Sequence, residues 1–376
     1  MGTSPHAIII GAGPAGLAVG ACLTRVGVPF TMLERGQAVG ESWRGHYDRL
    51  HLHTNKGSSA LPFVAYPRGY PRYPSRDQVV AYLESYASAF HLEPRFGEEV
   101  VGAERRDDHW EVATRTERYS APHLVVATGF NRDPIAPRWP GQDLYRGRIM
   151  HSREYRNGAA YRGARVLVVG IGNSGAEIAL DLYQHGAVPA ISVRGSVNVV
   201  RRDILGVPVA VVARITRLLP PRLADAVSGT LQRIVVGDLE RYGLRKPDYG
   251  PMAQIARTGR IPLIDVGTIG AIKAGHIAVR PAIDRFVEDG VVFVDGRREA
   301  FDAVVLATGY GPGLASFLKA GDLLDEHGNL RGDAPSLPGL HLIGFEVVGS
   351  GMLNQIAREA KRIAAEIANA AASATG

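Results

Sequence analysis

The stretch at residues 166–180, "VLVVGIGNSGAEIAL", passes from branched apolar residues into Gly170-x-Gly172-x-x-Gly175 and on into the small residues of a helix start. That order is what a strand turning onto a phosphate requires. Glycines let the backbone turn tightly and approach the anion, and the helix that follows points its unpaired N–H groups at it. One copy could be any tight strand-to-helix turn. Residues 8–20, "IIIGAGPAGLAVG", repeat the pattern with Gly11, Gly13 and Gly16. Two copies, each between an apolar run and a helical one, predict two dinucleotide-binding units in one chain.

The residues flanking each copy separate their ligands. In the first, a strand at Ala7–Ile10 and a helix at Ala15–Arg25 lead to "PFTMLE", which ends at Glu34. An acid about 20 residues beyond the glycines is placed to meet a ribose hydroxyl. In the second, a helix at Gly175–His185 leads to the strand "AISVRG", which ends at Arg194. An arginine there accommodates a 2′-phosphate that a carboxylate would repel, so the second cradle is expected to take NADPH. A further repeat supports the pairing: "VVATGF" (125–130) and "VLATGY" (305–310) are both apolar strands ending in Ala-Thr-Gly. Either could be a core strand with a glycine turn, but together with the cradles they match a flavoprotein with two nucleotide-binding units.

The expected fold is α/β, with two Rossmann-like dinucleotide-binding domains. The first is discontinuous, spanning 1–140 and 276–376, and the second is inserted at 141–275 with a helical insert over about 203–260. Pro134, Pro137 and Pro140 mark the linker between them. A helix is expected from Ser75 with Asp77 in its first turn, and a closing helix after "GLHLIGFEVVGSG".

Composition bounds the function. The 376 residues carry a formal charge of +6, are 45% hydrophobic and 21% charged, and include one cysteine. The arginines are scattered, so a biased surface that favours small anions fits better than nucleic-acid binding. Cys22 can form neither an intrachain disulfide nor a Cys-x-x-Cys pair, which suits a reducing cytoplasm and excludes a dithiol reductase built on this chain alone. Residues 7–23 are interrupted by Pro14 and glycines, so no membrane span is expected. His51 and His53 would share one face of a strand, as metal ligands can, but nothing completes a site and no metal is expected.

"GAGPAGLA", "GIGNSGAEIALDL", "LATGY" and above all "YRGRIMHSREY" (145–155) resemble the flavin-containing monooxygenases, whose identifying stretch is Phe-x-Gly-x-x-x-His-x-x-x-Tyr. Tyr145 replaces the Phe, while Gly147, His151 and Tyr155 fit. The resemblance covers nearly the whole chain. It is strongest to the YUCCA-type indole-3-pyruvate monooxygenases, through "YDRLHLH", "QVVAYLESYA", "RKPDYGP" and "PLIDVGTI". Where those enzymes typically read Leu-His-Leu-Pro-Lys, this chain has Leu52-His53-Thr54-Asn55-Lys56, which is closer to amine- and sulfide-oxidising relatives.

The resemblance implies FAD and NADPH as cofactors. Hydride would pass from NADPH to FAD, O2 would add to the reduced ring, and the peroxide would oxygenate a small organic substrate. That substrate would be a 2-oxo acid such as indole-3-pyruvate, or alternatively an amine or sulfide; an NADPH oxidase or a non-catalytic flavin module are further alternatives. A homodimer is an admissible assembly. Residue by residue, Gly11, Gly13, Pro14, Ala15 and Gly16 would hold the FAD pyrophosphate, with Glu34 and Arg35 at its adenosine. Ser42, Trp43, Arg44, His53, Thr54, Val100 and the Ala127, Thr128 and Gly129 turn would complete the FAD site. Gly170, Gly172, Asn173, Ser174 and Gly175 would hold the NADPH pyrophosphate, with Arg194 and Arg201 on its 2′-phosphate and Ala307, Thr308 and Gly309 nearby. Asn55 is the candidate for contacting the flavin and its oxygen adduct, against the plainer role of satisfying a loop. His151 is expected to join the two domains and help place the nicotinamide nucleotide, in preference to acting as a base.

Overall fold

The structure is a computed structural model that describes residues 5–204, 207–208, 237–326, 330–331, 337–349 and 351–374. Two five-stranded parallel sheets organise it. The first has the order Leu340–Leu342, His123–Val126, Ala7–Ile10, Phe30–Glu34, Arg95–Phe96. The second has the order Ala278–Arg280, Val188–Ser192, Arg165–Val169, Ala303–Leu306, Arg148–His151. Their central strands are apolar on both faces because each sheet is covered on both sides.

Each sheet carries its glycine helix where the sequence places it, at Pro14–Arg25 and Asn173–Gln184. The small residues are a packing requirement. A Cβ on Gly16 would lie 1.9 Å from the Gly11 carbonyl oxygen, and one on Gly175 would lie 2.1 Å from that of Gly170. The helix Arg76–Ala89 is capped by Ser75, whose hydroxyl accepts from the Gln78 N–H while the Gln78 side chain accepts from the Ser75 N–H. The closing helix, Met352–Ala374, buries Ile356, Ala360, Ile363, Ala364 and Ile367, a helical stripe packed into the core that holds the first glycine helix.

The domain boundaries differ from those expected. Ala278–Arg280 and Ala303–Leu306 are strands of the second sheet, so the return to the first unit does not fall at 276. Between them an antiparallel sheet, Ile283–Val287, Gly290–Phe293 and Arg298–Ala300, packs Phe286, Val291 and Phe293 against Leu167 and Val169 of the second unit. The chain crosses between the sheets at Asp133–Pro134 and again at Tyr310–Gly311, and these crossings pair antiparallel. Trp139 already packs with the second unit, ahead of the expected boundary at 140. A run such as Ala303–Leu306 is buried on both faces and reads the same in either sheet, so local pattern cannot assign it. Of the expected insert, residues 209–236 lie outside the described residues. The described parts include a short hairpin of Asp203–Ile204 with Val207–Pro208, and the helix Pro251–Thr258.

Candidate functional site

The first cradle is built around a buried carboxylate. Gly11 has φ +106°, and a side chain there would meet the Ala127 carbonyl oxygen at 2.8 Å. Glu34, 8% exposed, accepts from the Ala12 N–H at 2.7 Å and the Gly36 N–H at 2.8 Å, which fixes both ends of the turn. A Cβ on Gly13 would meet nothing within 4 Å, so this face of the turn is open to a ligand. Beside it the Thr128 hydroxyl is buried on a cavity wall with no hydrogen-bond partner among the described residues. A buried, unpaired hydroxyl costs free energy unless a ligand satisfies it.

The second cradle repeats the backbone. Gly170 has φ +105° and faces the Ala307 carbonyl oxygen, and Gly172 is as open as Gly13. Its side chains are engaged differently. Asn173 Oδ1 accepts from the Ile264 N–H at 2.8 Å, and Ser174 shares a side-chain hydrogen bond with Tyr47. Thr308 donates to the Ile135 carbonyl and Gly309 accepts from the Ile135 N–H, so the second Ala-Thr-Gly secures a crossing strand. The strand Val188–Ser192 ends before Arg194. In register, Leu33 pairs with Ile10 as Ser192 pairs with Val169, so the counterpart of Glu34 is Val193, and Arg194 stands one residue beyond. Arg245 Nη2 donates to the Arg194 carbonyl at 3.2 Å, adding a second guanidinium.

A cavity of about 480 Å3 lies between the units. Its wall includes Gly11, Gly13, Pro14, Ala15, Glu34, Arg35, Ser42, Trp43, His53, Thr54, Val100, Ala127, Thr128 and Gly129 from the first, and Arg201 from the second. Gly16, Arg44, Asn55, His151, Gly170, Gly172, Asn173, Ser174, Gly175, Arg194, Ala307, Thr308 and Gly309 are not part of that wall. Asn55 caps a short 3-10 turn, its Oδ1 accepting from the Ser58 N–H at 2.9 Å. The loop takes the amide oxygen, the plainer of its two expected roles, as Asn readily does in turns. Arg44 is tied to Glu84 at 2.5 Å. His151 Nε2 donates to the Gly309 carbonyl at 3.1 Å while its Nδ1 accepts from the Arg153 N–H at 3.2 Å. Both nitrogens are committed to backbone, which fits the joining role and leaves no free base. Burial, first of all, pulls the His151 pKa down.

The residues 43–53 form a strap between the units that the sequence did not announce. Tyr47, 2% exposed, sits in the core of the second unit. Asp48 accepts from Asn157 and Arg76, each at 2.7 Å. His53 reaches Glu177 of the second glycine helix at 2.5 Å, pairing a carboxylate that is 3% exposed. His51 instead contacts the Arg49 carbonyl at 2.6 Å, so the two histidines do not share a strand face. Among the described residues no cluster of His, Cys, Asp and Glu is arranged to hold a metal. Sequence reading also missed Arg132, Arg153, Tyr310, Met252, Ile255 and Met352 on the wall. Arg153 was the most discoverable, lying two residues after His151 in the identifying stretch.

Two phosphate cradles on two parallel sheets, the first opening on a cavity between the units, define the two-nucleotide flavoprotein oxidoreductases. The chain matches the family model described as pyridine nucleotide-disulphide oxidoreductase over residues 8–207. It is 43% identical over 357 residues to the indole-3-pyruvate monooxygenase YUCCA1 of Oryza sativa subsp. japonica, covering 91% of this chain and 86% of the relative. It is 40% identical over 370 residues to the probable indole-3-pyruvate monooxygenase YUCCA1 of Arabidopsis thaliana, covering 96% and 89%. Among solved structures, a flavin-containing monooxygenase from Stenotrophomonas maltophilia superposes with a TM-score of 0.73 at 24% identity, covering 98% of this chain and all of the other. An open structure of cyclohexanone monooxygenase superposes with a TM-score of 0.74 at 19% identity, covering 98% and 88%. The chain belongs to the flavin-dependent monooxygenase family. It is an NADPH-dependent enzyme whose cofactors are FAD and NADPH, and the orphaned Thr128 hydroxyl and the open Gly13 face fit such a ligand. Among the described residues no helix is long and apolar enough to cross a membrane.

Proposed function

We propose that the enzyme oxidatively decarboxylates an aromatic 2-oxo acid such as indole-3-pyruvate. The observation that carries this reading is the cavity between the units, with an apolar second-unit wall and arginines at its margins. The names of the relatives point the same way. The balanced reaction takes one 2-oxo acid, O2, NADPH and a proton to the shortened acid, CO2, NADP+ and water. One oxygen atom enters the new carboxylate and the other leaves as water. Thr54-Asn55, the departure that favours amines and sulfides, loses weight because Asn55 is occupied as a cap.

The bound flavin supplies the two-electron and oxygen chemistry. The chain's own residues bind and exclude water. Gly11, Gly13 and Gly16 with Thr128 would hold the FAD phosphates, and Glu34 the ribose. Gly170, Gly172 and Gly175 would hold those of NADPH, with Arg194 at the 2′-phosphate. Val348, Met352, Leu353 and Ile356 on one side and Met252, Ile255 and Ile264 on the other line the cavity with hydrocarbon, which keeps water from the reacting atoms. The strap from Trp43 to His53 holds the two half-sites in one geometry. A cytoplasmic location is supported by the lone cysteine, since the chain carries no intrachain disulfide.

The test incubates the purified holoenzyme with NADPH, indole-3-pyruvate and 18O2. Indole-3-acetate with one labelled oxygen and one CO2 per NADPH is the expected result. Hydrogen peroxide alone with every 2-oxo acid, or faster turnover of a sulfide or amine, would overturn the assignment.

A further inference from the structure

Resting on that reading, we propose that Arg201 is the residue that recognises the substrate carboxylate, making this cavity selective for acids over amines. Four arginines among the described residues line the cavity: Arg35, Arg132, Arg153 and Arg201. Arg35 lies beside Glu34 at the adenosine end of the first cradle. Arg132 lies over the Phe317 ring at 4.7 Å, with its Nε 3.9 Å from Asp133. Arg153 donates to the Arg132 carbonyl at 2.8 Å and stands 6.0 Å from the Tyr310 ring. Arg201 is exposed on the wall and has no acidic partner among the described residues. Asp265, its register partner on the neighbouring strand, accepts from the Gly267 and Ile269 N–H groups through Oδ1 and forms no ion pair with it.

Its position is fixed by its neighbours. Arg202 lies over the Tyr73 ring at 4.0 Å, and Asp203 accepts from the Tyr73 hydroxyl at 2.5 Å. These contacts hold the end of the strand against the first unit. Val200 pairs in register with Ile264, and both line the cavity together with Arg201, Met252, Ile255 and Ile261. Asn198, 1% exposed, locks this wall by donating to the Tyr249 carbonyl and to Gln254 of the helix that carries Met252 and Ile255. The Arg201 guanidinium, on the same wall as this hydrocarbon, fits a ligand with an apolar body and an anionic head. It repels a protonated amine and gives a neutral sulfide no charge to bind. The same position argues against the 2′-phosphate role, because the second cradle and Arg194 lie outside this wall.

The experiment measures Arg201→Gln and Arg201→Lys as FAD-loaded proteins. Equilibrium titration with indole-3-acetate and with its neutral analogue 3-methylindole is read by flavin absorbance. Kd for NADPH under anaerobic conditions and KM for indole-3-pyruvate complete the set. In Arg201→Gln, indole-3-acetate Kd and indole-3-pyruvate KM are expected to rise about 10–100-fold, the strength of one charge-assisted contact. The 3-methylindole Kd is expected to stay within about twofold, with Arg201→Lys recovering most of the loss. A rise in NADPH Kd instead, equal changes for acid and neutral ligand, or no change at all would each overturn the proposal. If the wild-type enzyme turns over no 2-oxo acid, the functional reading falls, and the carboxylate titration still decides Arg201.

Discussion

The two nucleotide cradles share a backbone and differ in almost every side chain around it. In both, the first glycine sits with φ near +105°, at +106° in Gly11 and +105° in Gly170, over the carbonyl of an Ala-Thr-Gly turn. In the first, Glu34 ties the turn together and Thr128 is buried and unsatisfied. In the second, Val193 replaces the acid, and Asn173, Ser174 and Thr308 are spent on the protein's own wall, strap and crossing strand. The first cradle therefore leaves a polar group open to a ligand, whereas the second is already braced by the protein. That suits one tightly held prosthetic group and one nucleotide that exchanges.

The largest expected effect breaks each cradle in turn. Gly16→Ala and Gly175→Ala would each drive a Cβ to about 2 Å from a carbonyl oxygen, at 1.9 and 2.1 Å. Overpacking of this kind costs on the order of 3 kcal/mol. Gly16→Ala is expected to purify largely colourless, while Gly175→Ala stays yellow but is not reduced by NADPH in anaerobic stopped-flow. Colour lost equally in both would erase the distinction. Next, Glu34→Gln removes the charge and replaces one of two acceptors with a donor set against a backbone N–H, and is expected to weaken FAD by about 10–100-fold in reconstitution titrations. Arg194→Ala should raise the KM for NADPH about tenfold with little change for NADH, and Val193→Glu should move preference toward NADH.

Acid should loosen the strap and the first unit together. Burial, ahead of Arg153 at the first and His123 at the second, holds His46 and His341 down to about 4 from an ordinary 6.5. The unfolded chain takes up these protons below pH 6.5 and the folded chain only near 4, so stability falls as pH drops through that window and is level above it. Urea midpoints measured from pH 7 to 4 should fall for the wild type and less steeply for His46→Asn. An equal slope in the variant would remove His46 from the account. The smallest effect is Tyr145→Phe, which restores the phenylalanine of the family stretch and deletes a 2.8 Å bond to the Phe301 carbonyl. About 1 kcal/mol of stability is expected to go, seen as a lowered Tm with the nucleotide affinities intact.

Much of the fold was legible because its signals are local. Glycine spacing, apolar runs, the Ser75 cap and the stripe of the closing helix each report on residues within a few turns of one another. The register of Val193 rather than Arg194 opposite Glu34 needed the strand ends, which local pattern gives only to within a few residues. Asn55 carried two readings because a capping amide and a ligand-facing amide look alike in a chain. Tyr47 was missed because its core belongs to the other unit, and Ala303–Leu306 because a doubly buried strand carries no mark of its partner.

The sequence by itself determined that there are two cradles and that they differ in charge, since backbone turns and strand ends follow from neighbouring residues. Tertiary structure alone decided which Ala-Thr-Gly lines the cavity and which secures a crossing. It also decided that the strap reaches Glu177, and that Arg201 stands in a hydrocarbon wall. Those outcomes depend on contacts between residues distant in the chain, as with His53 and Glu177, whose separation of 124 no local propensity encodes.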